Sequence, residues 1–380
     1  MKKYTMFANP WLFILCSLLF VLLVGSCKRE WKPGMPLIKE NVRIGVLHIS
    51  DPFVEDSGYA FAHQSGITEM QLKLGLAENQ MMYRTHVDYS DPHGVEGAIR
   101  ELIARDANII IATSWGYMDA CEKLAEEYPS VIFAHASGYK NNDSNFTNYF
   151  GRVYQARYLS GIIAGSKTQN NRIGYVAAWG TENSEVTGGI NAFAMGVEKV
   201  NPQARVFVKV TNSWFDPMGE SMAARELIAL GCDVIAQHCD TVNPQIEAER
   251  ADIWGIGYNT DMSIDAPNTV LTSVIWNWGA YYTFLVQSVI DGSFKPDPWY
   301  GSLADGIINL TPLNRNIHID PQAINLYEQE RQRIESGVFA VFEGVIETND
   351  GRRIGREAER LSDSDVQFGI NWYYRTVNEL

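Results

Sequence analysis

Arg172-Ile173-Gly174-Tyr175-Val176-Ala177, near the middle of the chain, is a short apolar run followed by a helix-length segment, Val186 to Val200, that stops at Asn201-Pro202. Val42-Arg43-Ile44-Gly45-Val46-Leu47-His48-Ile49 behaves in the same way near the start, with Gly58 to Leu76 as its helix-length successor. A short β-branched run followed by a helix is half of a βαβ unit. Working outward, the first unit continues through Met82 to Val87, Val95 to Arg105, Asn108-Ile109-Ile110-Ile111-Ala112, Met118 to Glu127 and Val131-Ile132-Phe133-Ala134-His135. The second continues through Arg205 to Val210, a helix from Met218 to Leu230, Cys232 to Gln237 and Asp252 to Gly257. Asp216 and Pro217 stand at N-cap and first-turn positions of that helix, and Gly231 at its stop. Thr269 to Ile275 adds a strand, Trp278 to Ile290 a helix and Pro321 to Ser336 another, and Asn349-Asp350-Gly351 signals a hairpin.

Strands alternating with helices require a parallel sheet, and the rhythm starts twice, with a join near Phe150-Gly151-Arg152. The expected fold is therefore α/β: two doubly wound lobes with a cleft between them. Ligands in such sheets bind beyond the carboxyl ends of the strands.

The 380 residues are 46% hydrophobic and 20% charged, and carry a formal charge of −14. That composition supports a packed core and excludes a disordered chain. The acidic balance excludes nucleic acid as a partner, since phosphate backbones need clustered Lys/Arg. Five cysteines are too few for a disulfide scaffold.

The first residues carry their own signal. Lys2 and Lys3 precede an apolar stretch, Trp11 to Val24, that is short for a membrane span and fits a secretory signal. Val24-Gly25-Ser26-Cys27 closely resembles the bacterial lipoprotein box, which makes residues 1–26 a signal peptide and Cys27 the lipidated residue. Residues 27–40 then form a lipid-anchored tether. This places the protein in the bacterial cell envelope, held to a membrane through acylated Cys27. Cys232 and Cys239 flank one apolar strand as small buried thiols, and no metal site or cofactor is expected.

Residues beyond the strand ends are rich in rings: His48, Tyr59, Phe61, His63, Trp115, Tyr117, Trp214, Phe215, Trp276 and Trp278. Asp240, Asn259, Asp261 and Asn277 are interspersed among them. Aromatic faces with a few carboxylates and amides suit a flat ligand with polar edges. Trp214, in the turn Asn212-Ser213-Trp214-Phe215-Asp216-Pro217, is the most telling of them, because a turn rarely holds a large ring without cause. Catalytic signatures are absent: there is no Gly-x-Ser-x-Gly elbow, no Walker loop and no His-Glu-x-x-His, so binding rather than catalysis is expected.

Gly151-Arg152 together with Tyr158-Leu159-Ser160-Gly161-Ile162-Ile163-Ala164-Gly165 resembles the hinge-and-helix signature of the basic membrane protein family. Gly189-Ile190-Asn191-Ala192-Phe193, Asn201-Pro202, Gln237-His238-Cys239-Asp240 and Gly257-Tyr258-Asn259-Thr260-Asp261-Met262 match the same family in order. The resemblance implies a type I periplasmic-binding-protein-like fold with a hinge. Lobe 1 then comprises 41–151 plus about 277–300, and lobe 2 comprises 152–276 plus about 301–380. It also implies a substrate-binding lipoprotein of an ABC transporter, with a permease and an ATPase as partners and a purine base or nucleoside as ligand. The nucleoside-binding branch carries a lysine after its Thr-Ser strand, where this chain runs Thr272-Ser273-Val274-Ile275-Trp276. Gly58-Tyr59 to His63 and Trp276-Asn277-Trp278-Gly279 look more like the branch that binds free bases such as adenine. Carried over, Tyr59 and Trp214 would sandwich the base and Asp240 would meet its edge, with His63, Tyr117, Asn277 and Trp276 completing the ligand-binding set. A nucleoside-binding protein, a ligand-sensing ectodomain partner and a nucleoside hydrolase are the rival functions.

Overall fold

The computed structural model describes residues 31–53 and 58–380. The signal segment, Cys27 and the pair Asp56-Ser57 lie outside the described residues. The chain separates into Met1–Lys32 and Pro33–Leu380, and everything below concerns the second unit.

Two sheets organise it. Strands β1 (Ile44–Leu47), β2 (Met81–Arg84), β3 (Ile109–Ala112), β4 (Ile132–Ala136), β5 (Phe146–Gly151) and β11 (Trp299–Gly301) form an all-parallel sheet in the order β11-β5-β4-β3-β1-β2. Strands β6 (Arg172–Ala177), β7 (Arg205–Val210), β8 (Val234–His238), β9 (Trp254–Asn259), β10 (Val270–Trp276), β12 (Ile308–Leu310) and β15 (Val377–Glu379) form the other, in the order β12-β10-β9-β8-β6-β7-β15. Only β12 runs antiparallel to its neighbour there. The central strands are buried along their length, as strands covered by helices on both faces must be. The chain passes between the sheets after Gly151, after Trp276 and after Gly301.

Local chemistry sets the helix starts. Asp91, Asp216 and Asp320 each accept a backbone N–H at the N-cap and precede a proline in the first turn, and Asn183 caps Ser184–Val200 without one. Two close approaches then fix the layers. Gly161 and Gly196 let helices Val153–Lys167 and Ser184–Val200 meet backbone to backbone; a Cβ on Gly161 would lie 2.1 Å from the Phe193 carbonyl. Gly66 brings Tyr59–Leu74 against Trp278–Asp291, where a Cβ would lie 2.6 Å from the Gly279 nitrogen.

Strand β5 and the helix Val153–Lys167 are additions to what periodicity alone shows. Thr147 and Asn148 interrupt the apolar pattern of β5, but their side chains are buried and donate to the Asp297 and Lys140 carbonyls. The last residues belong to the second sheet through β15 and include the hairpin β13 (Ile346–Glu347)–β14 (Arg353–Ile354), with Gly351 at φ +84°. Asn191 anchors this segment, donating to the Trp372 carbonyl and accepting from the Tyr374 N–H, both at 2.7 Å. From that anchor the chain reaches the first crossover, where Asp363 accepts two bonds from Arg152. It also reaches the first lobe, where Phe368 packs edge-on against Tyr139 at 5.9 Å.

Candidate functional site

The first wall of the site is built by the Gly66–Gly279 approach. It stacks the His63 ring on Trp278 at 4.1 Å and 14°. Trp276, the last residue of β10, also stacks on Trp278, at 4.5 Å and 9°, and Phe150 leans on Trp276 at 4.9 Å. The His63 Nδ1 lies 2.5 Å from the Tyr282 hydroxyl, which in turn meets Tyr149 at 2.9 Å. Burial, with His48 as a smaller contribution, holds the His63 pKa well below its usual value, so the ring is neutral. Tyr59, at the start of its helix, sets its edge against His63 at 4.5 Å.

The second wall comes from the ends of β7, β8 and β9. Asn212 takes a left-handed turn (φ +57°), a conformation that asparagine tolerates, and so lifts Trp214 out of the chain's direction. The Asp240 N–H donates to the Trp214 carbonyl at 2.8 Å, tying the two loops together. Glu220, fully buried, reinforces the tie by accepting from the Thr241 hydroxyl at 2.6 Å while also accepting the Asp216 N–H. Gln237, also fully buried, donates to the Cys239 and Thr241 carbonyls and so shapes the loop that carries Asp240. The Asp240 carboxylate accepts from the Asn259 amide at 2.9 Å.

A buried polar cluster lies behind this wall. The Arg157 guanidinium, fully buried, sits 4.2 Å over the Tyr258 ring and donates to the Gln237 carbonyl. His238 meets Tyr258 edge-on at 4.6 Å, and its Nε2 lies 3.5 Å from a Glu185 oxygen. Burial first, then the Arg157 charge, holds His238 neutral. Burial also raises the Glu185 pKa to about 7, against the opposing pull of Arg157.

Rings join the two walls. Trp214 is edge-on to His238 at 6.0 Å, and His238 is edge-on to Tyr258. The Trp276 indole N–H donates to the Tyr258 hydroxyl at 3.1 Å, and Trp276 leads through Trp278 to His63 and Tyr59. The Tyr59 hydroxyl is driven well up in pKa, by burial first and then by the neighbouring charges of Tyr149, Glu185, Tyr258 and Asp240. Asp240 is the smallest of these contributions, which places Tyr59 within its electrostatic reach.

The expected site residues separate accordingly. Tyr59, Trp214 and Asp240 belong to this one constellation. His63 and Trp276 are members of the stacked column that backs it, and their faces are already covered by other rings. Asn277 stands at the N-cap of Trp278–Asp291 with its backbone N–H on the Ile307 carbonyl at 2.6 Å. Tyr117 is a correction. Its ring is fully buried in the first lobe's core, and its hydroxyl donates to the Val87 carbonyl at 2.7 Å, so it supports the lobe and does not line the cleft. Arg157, Glu185 and Tyr258 were not singled out by residue type. Glu185 in the first turn of a helix and Arg157 within a helix both look like ordinary surface charges until the strand order brings them together.

Similarity to known proteins agrees with this geometry. A purine-binding protein of Brucella abortus is 32% identical over 346 residues, covering 91% of this chain and 95% of that protein. A protein of Haloferax volcanii named as a glucose-binding protein of an ABC transporter is 34% identical over 284 residues, covering 75% of this chain and 70% of that protein. The solved structure of an ABC transporter solute-binding protein from Conexibacter woesei superposes with a TM-score of 0.67 at 19% identity, over 79% of this chain and 98% of that one. The model of ABC transporter substrate-binding proteins of the PnrA-like type matches residues 43–341. With two lobes, rings gathered beyond the strand ends and a family match over most of its length, the chain belongs to the Bmp family of ABC transporter substrate-binding proteins.

Proposed function

We propose that this protein captures a purine base, adenine by preference, between its lobes and hands it to a membrane permease driven by an ATPase. Its family is one of substrate-binding proteins, not of enzymes, and such proteins are extracytoplasmic in bacteria. The observation that carries the ligand reading is the buried Asp240 carboxylate held beside Trp214 and within the electrostatic reach of Tyr59. The purine-binding relative from Brucella abortus supports it. Two rings would take the faces of the base, and Asp240 its donor edge. Adenine protonated at N7 offers two adjacent donors, the ring N–H and the amino group, to a carboxylate that only accepts. Adenosine, with its sugar on N9, cannot offer the N7 proton while neutral. Lobe closure about the three crossovers would complete capture, and acylated Cys27 would keep the protein near its permease.

Calorimetry with adenine, adenosine and glucose tests this. Hydrogen bonds to a charged group are worth about 1.5–3 kcal/mol, so Asp240→Asn weakens adenine by roughly ten- to a hundredfold and adenosine much less. Tighter adenosine than adenine in the wild type, or an equal loss of both in the variant, refutes the free-base reading. A sugar is the second reading, favoured by the relative named for glucose; glucose binding without purine binding would select it.

A further inference from the structure

Asn259 ends β9, next to the strand whose continuation carries Asp240, so both side chains stand at the carboxyl ends of neighbouring parallel strands. The residue is 1% exposed and sits at φ +67°, a left-handed conformation that most side chains disfavour. Its amide nitrogen donates to Asp240 at 2.9 Å, and its oxygen, buried, meets no hydrogen-bond donor among the described residues. Buried amide oxygens are almost always paired, so an orphan of this kind marks a place where a donor from elsewhere belongs.

The orientation of this amide follows from its neighbour. A carboxylate can only accept, so the Asn259 NH₂ must face Asp240 and the amide oxygen must face the other way. The end of β9 therefore presents a buried amide oxygen that only accepts. A ligand group that fits it is a hydrogen-bond donor.

We propose that Asn259 is a specificity-determining residue, whose amide oxygen accepts from the exocyclic amino group of a 6-aminopurine and so discriminates against 6-oxopurines. The inference rests on the purine reading above and refines it. Adenine protonated at N7 presents the ring N–H and the amino group together. Hypoxanthine in the same pose presents a carbonyl oxygen where adenine presents the amino group. That oxygen would face the Asn259 oxygen with no proton between them, at the cost of two buried acceptors left without donors. Asp240 plays a double part, binding the ligand and locking the Asn259 amide in its accepting orientation.

The test is calorimetry of the full chain with adenine and hypoxanthine, on the wild type and on Asn259→Gly. Glycine tolerates the positive φ, so the strand end keeps its path while the amide is lost. The wild type should prefer adenine by at least about tenfold. In Asn259→Gly, adenine should weaken by about tenfold or more while hypoxanthine changes little, so that the preference collapses. The ratio of the two affinities is the readout, because a general fold defect lowers both alike. An equal loss for both bases overturns the role of Asn259 and leaves the purine reading standing. A wild type that binds adenine, adenosine and hypoxanthine no better than glucose overturns the purine reading itself.

Discussion

Glu185→Gln removes a charge while keeping the shape of the side chain, and the structure sets the size and sign of its effect. The Glu185 carboxyl faces His238 and lies near Arg157, with the hydroxyls of Tyr59, Tyr175, Tyr258 and Tyr300 within reach of its charge. Burial raises its pKa from 4.5 to about 7. The folded protein therefore holds this proton more tightly than the unfolded chain does. Its contribution is fully present below the unfolded value, is lost as pH climbs from 4.5 to about 7, and stays lost above that. Taken at face value the interval corresponds to about 3 kcal/mol. The side chain keeps 23% exposure, and water screening brings the expectation to about 2 kcal/mol. Across this range His238 stays neutral, while His48 and His135, pushed down to about 4 by burial, titrate alike in both proteins. Urea unfolding of wild type and variant should give equal stabilities near pH 4.5 and a variant more stable by about 2 kcal/mol near pH 8. A stability difference that does not change between those two pH values refutes the burial of this carboxyl.

Trp214→Ala removes one stacking face from a half-buried turn, so the protein should fold while adenine affinity falls at least tenfold, about 1.4 kcal/mol; fluorescence titration in the wild type, where Trp214 reports binding directly, and calorimetry in the variant check it. Gly66→Ala places a Cβ 2.6 Å from the Gly279 backbone nitrogen and 2.7 Å from Trp278 Cβ. Neither can step aside cheaply, so thermal unfolding should show a loss of about 2 kcal/mol or more. Cys27→Ser should abolish incorporation of labelled palmitate and release the protein from membranes, since stable anchoring takes two acyl chains or more; continued labelling would place the lipid elsewhere.

Much of the architecture was legible because its causes are local. A short β-branched run bounded by turn residues reads as a buried strand from its length and flanks, and Asp216-Pro217 or Asp320-Pro321 can start a helix without help from the rest of the chain. Trp214 and Asp240 could be picked out because their positions, just past strand ends, are where an α/β sheet leaves side chains free to meet a ligand. Position after a strand could not tell Tyr117 from Tyr59. One ring turns into the lobe core and the other sets its edge against His63, and that choice depends on Val87 and His63, which the sequence does not place. The same limit hid β5, whose Thr147 and Asn148 become tolerable inside a sheet only when the Asp297 and Lys140 carbonyls arrive to accept from them. Periodicity also missed the helix Val153–Lys167, which is buried on nearly every side and so shows no amphipathic stripe; only the family resemblance of Tyr158 to Gly165 pointed to it. Above all it hid the cluster of Arg157, Glu185 and His238 around Tyr258. Single charges carry no periodicity, and what brings these residues together is the strand order β9-β8-β6 with the helices that follow it. Periodic burial is written residue by residue along the chain, whereas the partner of a buried polar atom is supplied by whichever distant strand folds beside it.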